Sequence, residues 1–162
     1  MGFSKGLNVQ LATLFGIGKI PGGGTWASLI VLLIALYEQN ATTVSFLAFF
    51  TLIIGPRAYR QLINNSTSED PKEYVLDEVI GMGISLSGVY IFYSIVGGFK
   101  FNINFLSDID TLFILTFIIF RFFDISKVGP VGWVESNPKE KPYNKVIGDD
   151  IMAALLSIIV VI

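Results

Sequence analysis

Five apolar segments, separated by polar connections, make up most of this chain. They are Gly24–Tyr37, Ala41–Gly55, Val79–Gly97, Leu112–Phe123 and Ile151–Ile162. A helix needs about 20 apolar residues to cross a hydrocarbon core of about 30 Å, and only Val79–Gly97, with 19 residues, comes close. The other segments are short enough to be re-entrant, tilted or extended by flanking residues. The pattern predicts an all-α fold: an integral membrane helical bundle of about four to five hydrophobic helices, some short or re-entrant, with loops on the cytoplasmic face.

The composition favours a membrane protein over a soluble helical bundle. Mean hydropathy is +0.67, and 52% of the residues are hydrophobic while only 15% are charged, compared with about 25% charged in ordinary soluble domains. Five such segments would leave a soluble bundle little polar surface. The 162 residues fit one domain spanning residues 1–162. A net charge of −2 gives no indication of a nucleic-acid partner, and the absence of cysteine excludes disulfides and thiolate-bound zinc.

The positions of the cationic residues predict the orientation of the chain. If every segment crosses and the N-terminus is cytoplasmic, ten of the eleven Lys and Arg residues lie on the cytoplasmic side, and Lys100 lies opposite. We therefore expect the protein in the inner (cytoplasmic) membrane, with its site on the cytoplasmic face. No apolar stretch followed by a cleavage site occurs near the N-terminus, so no removable signal peptide is expected. Pro56–Tyr74 is expected to form a cytoplasmic helix followed by a loop, and Ser126–Gly148 to be irregular.

Three acidic sites stand at the edges of apolar segments: Asp77-Glu78, Asp124 and Asp149-Asp150. Carboxylates are costly beside lipid and need a partner. The chain has neither His nor Cys, so an oxygen-preferring cation such as Mg²⁺ is the metal that its side chains suit. Each acidic site taken singly is better explained as a helix cap. Their shared location on one membrane face favours a metal site.

A glycine-rich segment from Gly16 to Ser28 precedes the first long apolar run. Glycines let backbone N–H groups turn toward an anion, and the following helix presents its positive end to the same place. Thr25 is expected to be the N-cap of that helix, Ser28 lies one turn later, and Lys19 could contact phosphate. No Gly-Lys-Ser/Thr ends this segment, so it is not a Walker A loop. A flexible entry to a membrane helix is the alternative interpretation.

Arg121, Asp124 and Lys127 are spaced by three residues and would share one helix face. An intrahelical salt bridge is the simpler explanation of this spacing. In the functional interpretation, Asp124 binds a metal while Arg121 or Lys127 binds phosphate oxygens, because a phosphate site needs charges of both signs close together.

These motifs, in this order, resemble those of the phosphatidylglycerophosphatase A family. The resemblance is carried by the segment from Gly16 to Ser28 and by three charged motifs, which are Asp77-Glu78 with Gly81, Arg121-Asp124-Lys127 with Pro130, and Asp149-Asp150. Two departures concern loop shape: Val128-Gly129 replaces the usual proline after Lys127, and no Gly-Gly pair precedes the last acids.

The resemblance implies a Mg²⁺-dependent membrane phosphatase that converts phosphatidylglycerophosphate to phosphatidylglycerol and phosphate. The alternative is a non-enzymatic membrane protein that binds anionic lipid headgroups. With the resemblance, we expect catalytic roles for Asp77, Asp124 and Asp149, metal binding by Glu78, Asp149 and Asp150, and substrate binding by Lys19, Gly24, Thr25, Ser28, Arg121 and Lys127. Attack by water and an aspartyl-phosphate on Asp124 or Asp149 both stay open, as does the oligomeric state.

Overall fold

The computed structural model describes residues 2–64, 71–97, 107–136 and 142–162, and all the regular structure in these ranges is helical. The helices are α1 (Gly2–Ala12), a short 3₁₀ turn (Ile17–Lys19), α2 (Gly23–Glu38), α3 (Thr42–Ile63), α4 (Leu76–Val96), α5 (Asp108–Ser126), α6 (Pro130–Ser136) and α7 (Pro142–Val161). Each of the five apolar segments forms a long helix, so the all-α prediction is confirmed.

The helix α3 continues through Pro56 to Ile63, and the separate helix expected to begin at Pro56 is therefore wrong. A proline inside a helix removes one hydrogen bond and usually bends or ends it. Here the turns beyond Pro56 are stabilised by packing, because Ala58, Tyr59 and Leu62 are buried in a small core against α1. Residues 65–70 of the expected loop lie outside the described residues.

The stretch Ser126–Gly148, expected to be irregular, contains α6 and the first turns of α7. Both helices begin with a proline, Pro130 and Pro142. Proline is favoured at the first helical position, because its missing N–H has no partner there and its φ angle already suits a helix. The prolines that indicated a loop therefore mark helix starts, while Pro138 lies outside the described part of the chain.

The helix α4 occupies the centre of the bundle and contacts α2, α3, α5 and α7. Small residues allow these close approaches. A Cβ atom on Gly83 would lie 2.7 Å from the Ala48 side chain of α3, so any larger residue would push the two helices apart. On the side facing α7, Ser157 donates a buried hydrogen bond of 3.1 Å to Ser85 of α4. Small residues and side-chain hydrogen bonds at helix contacts are typical of helix packing in membranes.

Contacts at both ends of the bundle show that α2 and α5 are antiparallel. At one end, Arg121 near the end of α5 donates to Thr25 in the first turn of α2 over 3.0 Å. At the other end, Gln39 after α2 donates to Asp110 in the first turn of α5 over 3.4 Å. Because α4 begins and α5 ends at the first of these ends, the predicted acidic motifs can meet there. We call it the site end.

The outward faces of the long helices are apolar. Large exposed side chains include Phe46, Phe49, Phe50 and Ile53 on α3, Ile91 and Ile95 on α4, and Leu155 and Ile159 on α7. Continuous apolar surface of this kind marks contact with a membrane or another protein. Two helices are long and apolar enough to cross a bilayer, Thr42–Ile63 with mean hydropathy 1.2 and Leu76–Val96 with 1.8. Further crossings stay a prediction.

Candidate active site

Three carboxylates meet between α4 and α7 at the site end. Asp77 and Glu78 lie in the first turn of α4 and Asp150 lies in α7. One oxygen from each lies within 4.8 Å of the others, and the side chains of Asp77 and Asp150 are buried. We call Asp77, Glu78 and Asp150 the acidic trio. Their arrangement is one that could hold a metal ion.

Two glycines allow the acidic trio to assemble. A Cβ atom on Gly81 would lie 2.8 Å from the Phe120 ring and 3.1 Å from Asp150 Cβ. A Cβ atom on Gly24 would overlap Glu78 Oε1. Since Gly81 follows Glu78 by three residues on α4, it lies on the same helix face, one turn further along. Glycine at these positions therefore lets α7 and α2 approach the acids.

No member of the acidic trio is held by a cation at salt-bridge distance among the described residues. Glu78 Oε2 is buried and has no hydrogen-bond partner in that part of the chain. Burial, together with the charges of Asp124 and Glu78, raises the pKa of Asp150 well above its usual value. Uncompensated buried carboxylates are costly, so this arrangement calls for an external positive charge.

A second group of charges lies beside the acidic trio and is joined by salt bridges. Asp124 Oδ2 accepts from Arg121 Nη1, and its Oδ1 accepts from Lys127 Nζ over 3.2 Å. Lys127 also donates to Asp149 Oδ2. Burial would lower the pKa of Lys127, but the hydrogen bond and charge of Asp149, together with Asp124, raise it above the usual value. We call Arg121, Asp124, Lys127 and Asp149 the paired cluster, and the raised pKa keeps Lys127 charged.

Arg121 links the paired cluster to the glycine-rich segment. Its Nη2 donates to Thr25 Oγ1 over 3.0 Å, and its Nη1 lies 3.5 Å from Ser28 Oγ. The expectation that Thr25 caps α2 is wrong: Gly22 is the N-cap, with φ of 74° and no side-chain cap bond. A left-handed φ of this size favours glycine, and the Thr25 hydroxyl is thereby left to face Arg121.

A cavity of about 460 Å³ opens beside the acidic trio, within the range of small-ligand sites. Its wall combines the glycine-rich segment with three other parts of the chain, and five of the lining side chains are charged. The charged side chains are Lys19, Lys72, Glu73, Glu78 and Arg121. The cavity therefore connects the predicted phosphate-binding loop with the acids.

Most of the predicted site residues are brought together. Lys19, Gly24 and Thr25 line the cavity with Arg121 and Glu78, whereas Ser28 is buried behind it and donates to the Gly24 carbonyl over 2.9 Å. The aspartates of α7 lie well inside that helix, not at its start, because α7 begins at Pro142.

Asp149 and Asp150 are separated by the fold. Asp150 belongs to the acidic trio, while Asp149 contacts Lys127. The predicted ligand set of Glu78, Asp149 and Asp150 and the predicted catalytic role of Asp77 are not tested by these contacts and stay predictions. Sequence reasoning missed Lys72 and Glu73, which lie in an ordinary polar connection with no motif of their own.

The sequence model of the phosphatidylglycerophosphatase A family matches residues 10–162, nearly the whole chain. No curated protein and no solved structure gives a significant match. The match covers the glycine-rich segment, the acidic trio and the paired cluster.

Proposed function

The chain belongs to the phosphatidylglycerophosphatase A family, and we propose that it is a Mg²⁺-dependent phosphatase that hydrolyses phosphatidylglycerophosphate to phosphatidylglycerol and phosphate in phospholipid biosynthesis. The family indicates a membrane-associated phosphatase that acts on this lipid. The observation that carries the metal-dependent form of the proposal is the acidic trio beside a cavity that also presents cations.

The acidic trio fits Mg²⁺ in its chemistry. All its donors are carboxylate oxygens, which this ion prefers, and the partnerless Glu78 Oε2 offers a free ligand atom. We assign Asp77, Glu78 and Asp150 as the metal-binding residues, and Asp149 as the residue that holds Lys127. When bound, Mg²⁺ would neutralise phosphoryl oxygens and polarise the phosphorus toward attack.

In this proposal, Arg121, Lys127 and the backbone at the start of α2 bind the terminal phosphate. Arg121 is held by Asp124 and by the Thr25 hydroxyl, so its planar guanidinium is oriented before substrate arrives. The start of α2 adds backbone N–H groups. Phosphoryl transfer depends mainly on such positioning and charge stabilisation, and the residues of the paired cluster supply both.

Direct attack by water is favoured over an aspartyl-phosphate. Both oxygens of Asp124 accept from cations, and the oxygens of Asp149 accept from Lys127 and from the Asp150 backbone N–H. Carboxylates engaged in this way are poor nucleophiles. In the direct route, a water oxygen bonds to phosphorus and the ester P–O bond breaks. The attacking water loses one proton and the glycerol oxygen gains one, so the step balances. Acid quenching during a single turnover should trap no phosphorylated protein, and a trapped aspartyl-phosphate would contradict this route.

Charge asymmetry supports a site on the cytoplasmic face of the inner membrane. Cations at the site end include Lys19, Arg57, Arg60, Lys72, Arg121, Lys127 and Lys145, while the opposite end carries Glu38, Asp108 and Asp110. An excess of Lys and Arg is typical of cytoplasmic loops. The non-enzymatic alternative is not favoured, because three uncompensated carboxylates would repel an anionic headgroup.

Phosphate release from phosphatidylglycerophosphate in neutral detergent micelles tests the proposal. We expect wild-type protein to be active with Mg²⁺ and inactive with a chelator, and Glu78→Gln to be inactive in both conditions. Glu38→Gln, the same substitution at the opposite end of the bundle, should stay active. Activity that persists in the chelator, or that survives in Glu78→Gln, would contradict the assignment.

A further inference from the structure

Two lysines on the cavity wall have no role in the hydrolysis described above. Lys19 ends the 3₁₀ turn before α2, and Lys72 lies in the connection that precedes α4. Both are exposed, and neither forms a salt bridge within the described part of the chain. Arg121 and Lys127, in contrast, form salt bridges with Asp124 and Asp149 that already neutralise their charges.

Close backbone packing holds the two lysines near each other. A Cβ atom on Gly18 would overlap the carbonyl oxygen of Glu73, so the residue beside Lys19 touches the residue beside Lys72. The Val75 N–H donates to the Ala12 carbonyl over 3.1 Å and ties the same two chain segments together. This packing explains how a connection without a motif becomes part of the cavity wall.

The charges on this part of the wall suit a single negative charge. Lys19 and Lys72 contribute two positive charges and Glu73 contributes one negative charge, which leaves a net charge of +1. A phosphodiester carries one negative charge, whereas a phosphate monoester carries up to two. The other charged part of the wall, formed by Arg121 and by Glu78 of the acidic trio, is suited to the monoester and its metal.

We propose that Lys19 and Lys72 bind the bridging phosphodiester of the lipid substrate while its terminal phosphate lies at Arg121 and the acidic trio. This inference rests on the proposed function, since it concerns the same cavity and the same lipid. The two lysines then select lipids that carry a second phosphate between the glycerol and the diacylglycerol. A lipid with a monoester alone, such as phosphatidic acid, gains nothing from them.

Two inhibitors separate the two halves of the cavity. Phosphatidylglycerol keeps the phosphodiester and lacks the monoester, whereas inorganic phosphate resembles the monoester alone. In neutral detergent micelles with saturating Mg²⁺, we expect Lys72→Ala and Lys19→Ala each to raise the inhibition constant of phosphatidylglycerol and the KM for phosphatidylglycerophosphate about tenfold, as the loss of one charge-assisted contact does. The kcat and the inhibition constant of inorganic phosphate should change less than about twofold.

Two further variants give the matched controls. Lys72→Arg keeps the charge and should stay within about threefold of wild type, because a phosphodiester accepts either cation. Arg57→Ala removes an exposed cation at the site end that does not line the cavity, and it should leave both inhibition constants unchanged.

Three outcomes would overturn the inference. Equal changes in the two inhibition constants would mean that the lysines act on the whole site, and unchanged values would mean that they do not touch the lipid. A loss seen only on anionic vesicles, and absent in neutral micelles, would assign the lysines to attraction by the membrane surface. If wild-type protein is active and the lysine variants have wild-type KM and inhibition constants, only this inference fails. If wild-type protein is inactive, the proposed function fails as well.

Discussion

The aspartates of the acidic trio and those of the paired cluster are buried to a similar extent. They differ in whether the protein itself supplies a cation that neutralises their charge. Asp149 and Asp150 make the contrast sharp, because these neighbours in the chain are 7% and 3% exposed. Asp149 forms a salt bridge with Lys127, while Asp150 lies beside Asp77 and Glu78 and forms no salt bridge within the described part of the chain. A carboxylate that the protein itself neutralises can orient a cation, whereas a group of carboxylates left unneutralised requires a cation from solution.

Helix geometry produces this division. Successive residues on a helix point about 100° apart, so the doublet in α7 divides between the end of α5 and the start of α4. Gly81 lets Asp150 approach α4, while the left-handed residue Lys127, with φ of 50°, ends α5 and turns its side chain to Asp149. The two groups nevertheless influence each other, because the charge of Asp124 helps to raise the pKa of Asp150.

The largest expected effect comes from comparing Asp150→Asn with Asp149→Asn. We expect Asp150→Asn to reduce phosphatase activity about 10³-fold, since the loss of a metal site removes several kcal/mol of transition-state stabilisation. Asp149→Asn should cost about 10- to 100-fold, because it only loosens Lys127. Initial rates over a range of Mg²⁺ concentrations measure both. Equal losses, or a Mg²⁺ requirement altered only in Asp149→Asn, would contradict the division.

The same two variants should shift the metal-free melting temperature in opposite directions. Asp150→Asn removes a charge from a repelling group and should raise the Tm, whereas Asp149→Asn removes a partner from Lys127, whose side chain is 29% exposed, and should lower it. Only Asp149→Asn should keep an increase in Tm on addition of Mg²⁺. A Mg²⁺-induced increase that survives in Asp150→Asn would remove that residue from the metal site.

Arg121→Lys should reduce kcat/KM about 100-fold. The guanidinium contacts Asp124 and Thr25 together, and a lysine ammonium cannot reproduce that planar arrangement. The inhibition constant of inorganic phosphate should rise in parallel. Arg60→Lys, an exposed position on α3, serves as the control. A normal inhibition constant in Arg121→Lys would place the bound phosphate elsewhere.

Gly24→Ala should weaken metal binding about tenfold without changing any charge. The added methyl group would overlap Glu78 Oε1 and displace it from the acidic trio. The half-saturating Mg²⁺ concentration reports this shift. Gly6→Ala, in α1, has open space for the same methyl group and should behave as wild type. An unaltered Mg²⁺ requirement in Gly24→Ala would show that the position of Glu78 is unimportant.

Ser157→Ala should have the smallest effect. The substitution removes a buried hydrogen bond to Ser85 between α4 and α7, which is worth about 1 kcal/mol of stability. Ser157 lies away from both the acidic trio and the paired cluster. Thermal unfolding should show a slightly lower Tm with an unchanged Mg²⁺ requirement. A large loss of activity would mean that contacts along α7 position the site as strongly as its own residues do.

Much of the fold and the membership of the site could be predicted from the sequence. The apolar segments indicated the five long helices, and the charged motifs indicated residues that do meet at one end of the bundle. The ends of the helices were harder to predict from the prolines. Pro56 lies inside α3, whereas Pro130 and Pro142 are the first residues of α6 and α7. The sequence predicted Thr25 as a helix cap and missed its hydrogen bond with Arg121. That bond joins residues 96 positions apart in the chain, so local sequence could not indicate it.

The sequence by itself determined the fold class, the family and the inventory of charges, since these depend on residue type and local spacing. Only the tertiary structure decided which acids share a space, which of them already have a cation, and that Lys72 lies on the cavity wall. The physical reason is that neutralisation depends on distances between side chains from different helices. Those distances are set by close contacts at Gly18, Gly24 and Gly81, and no local pattern records them.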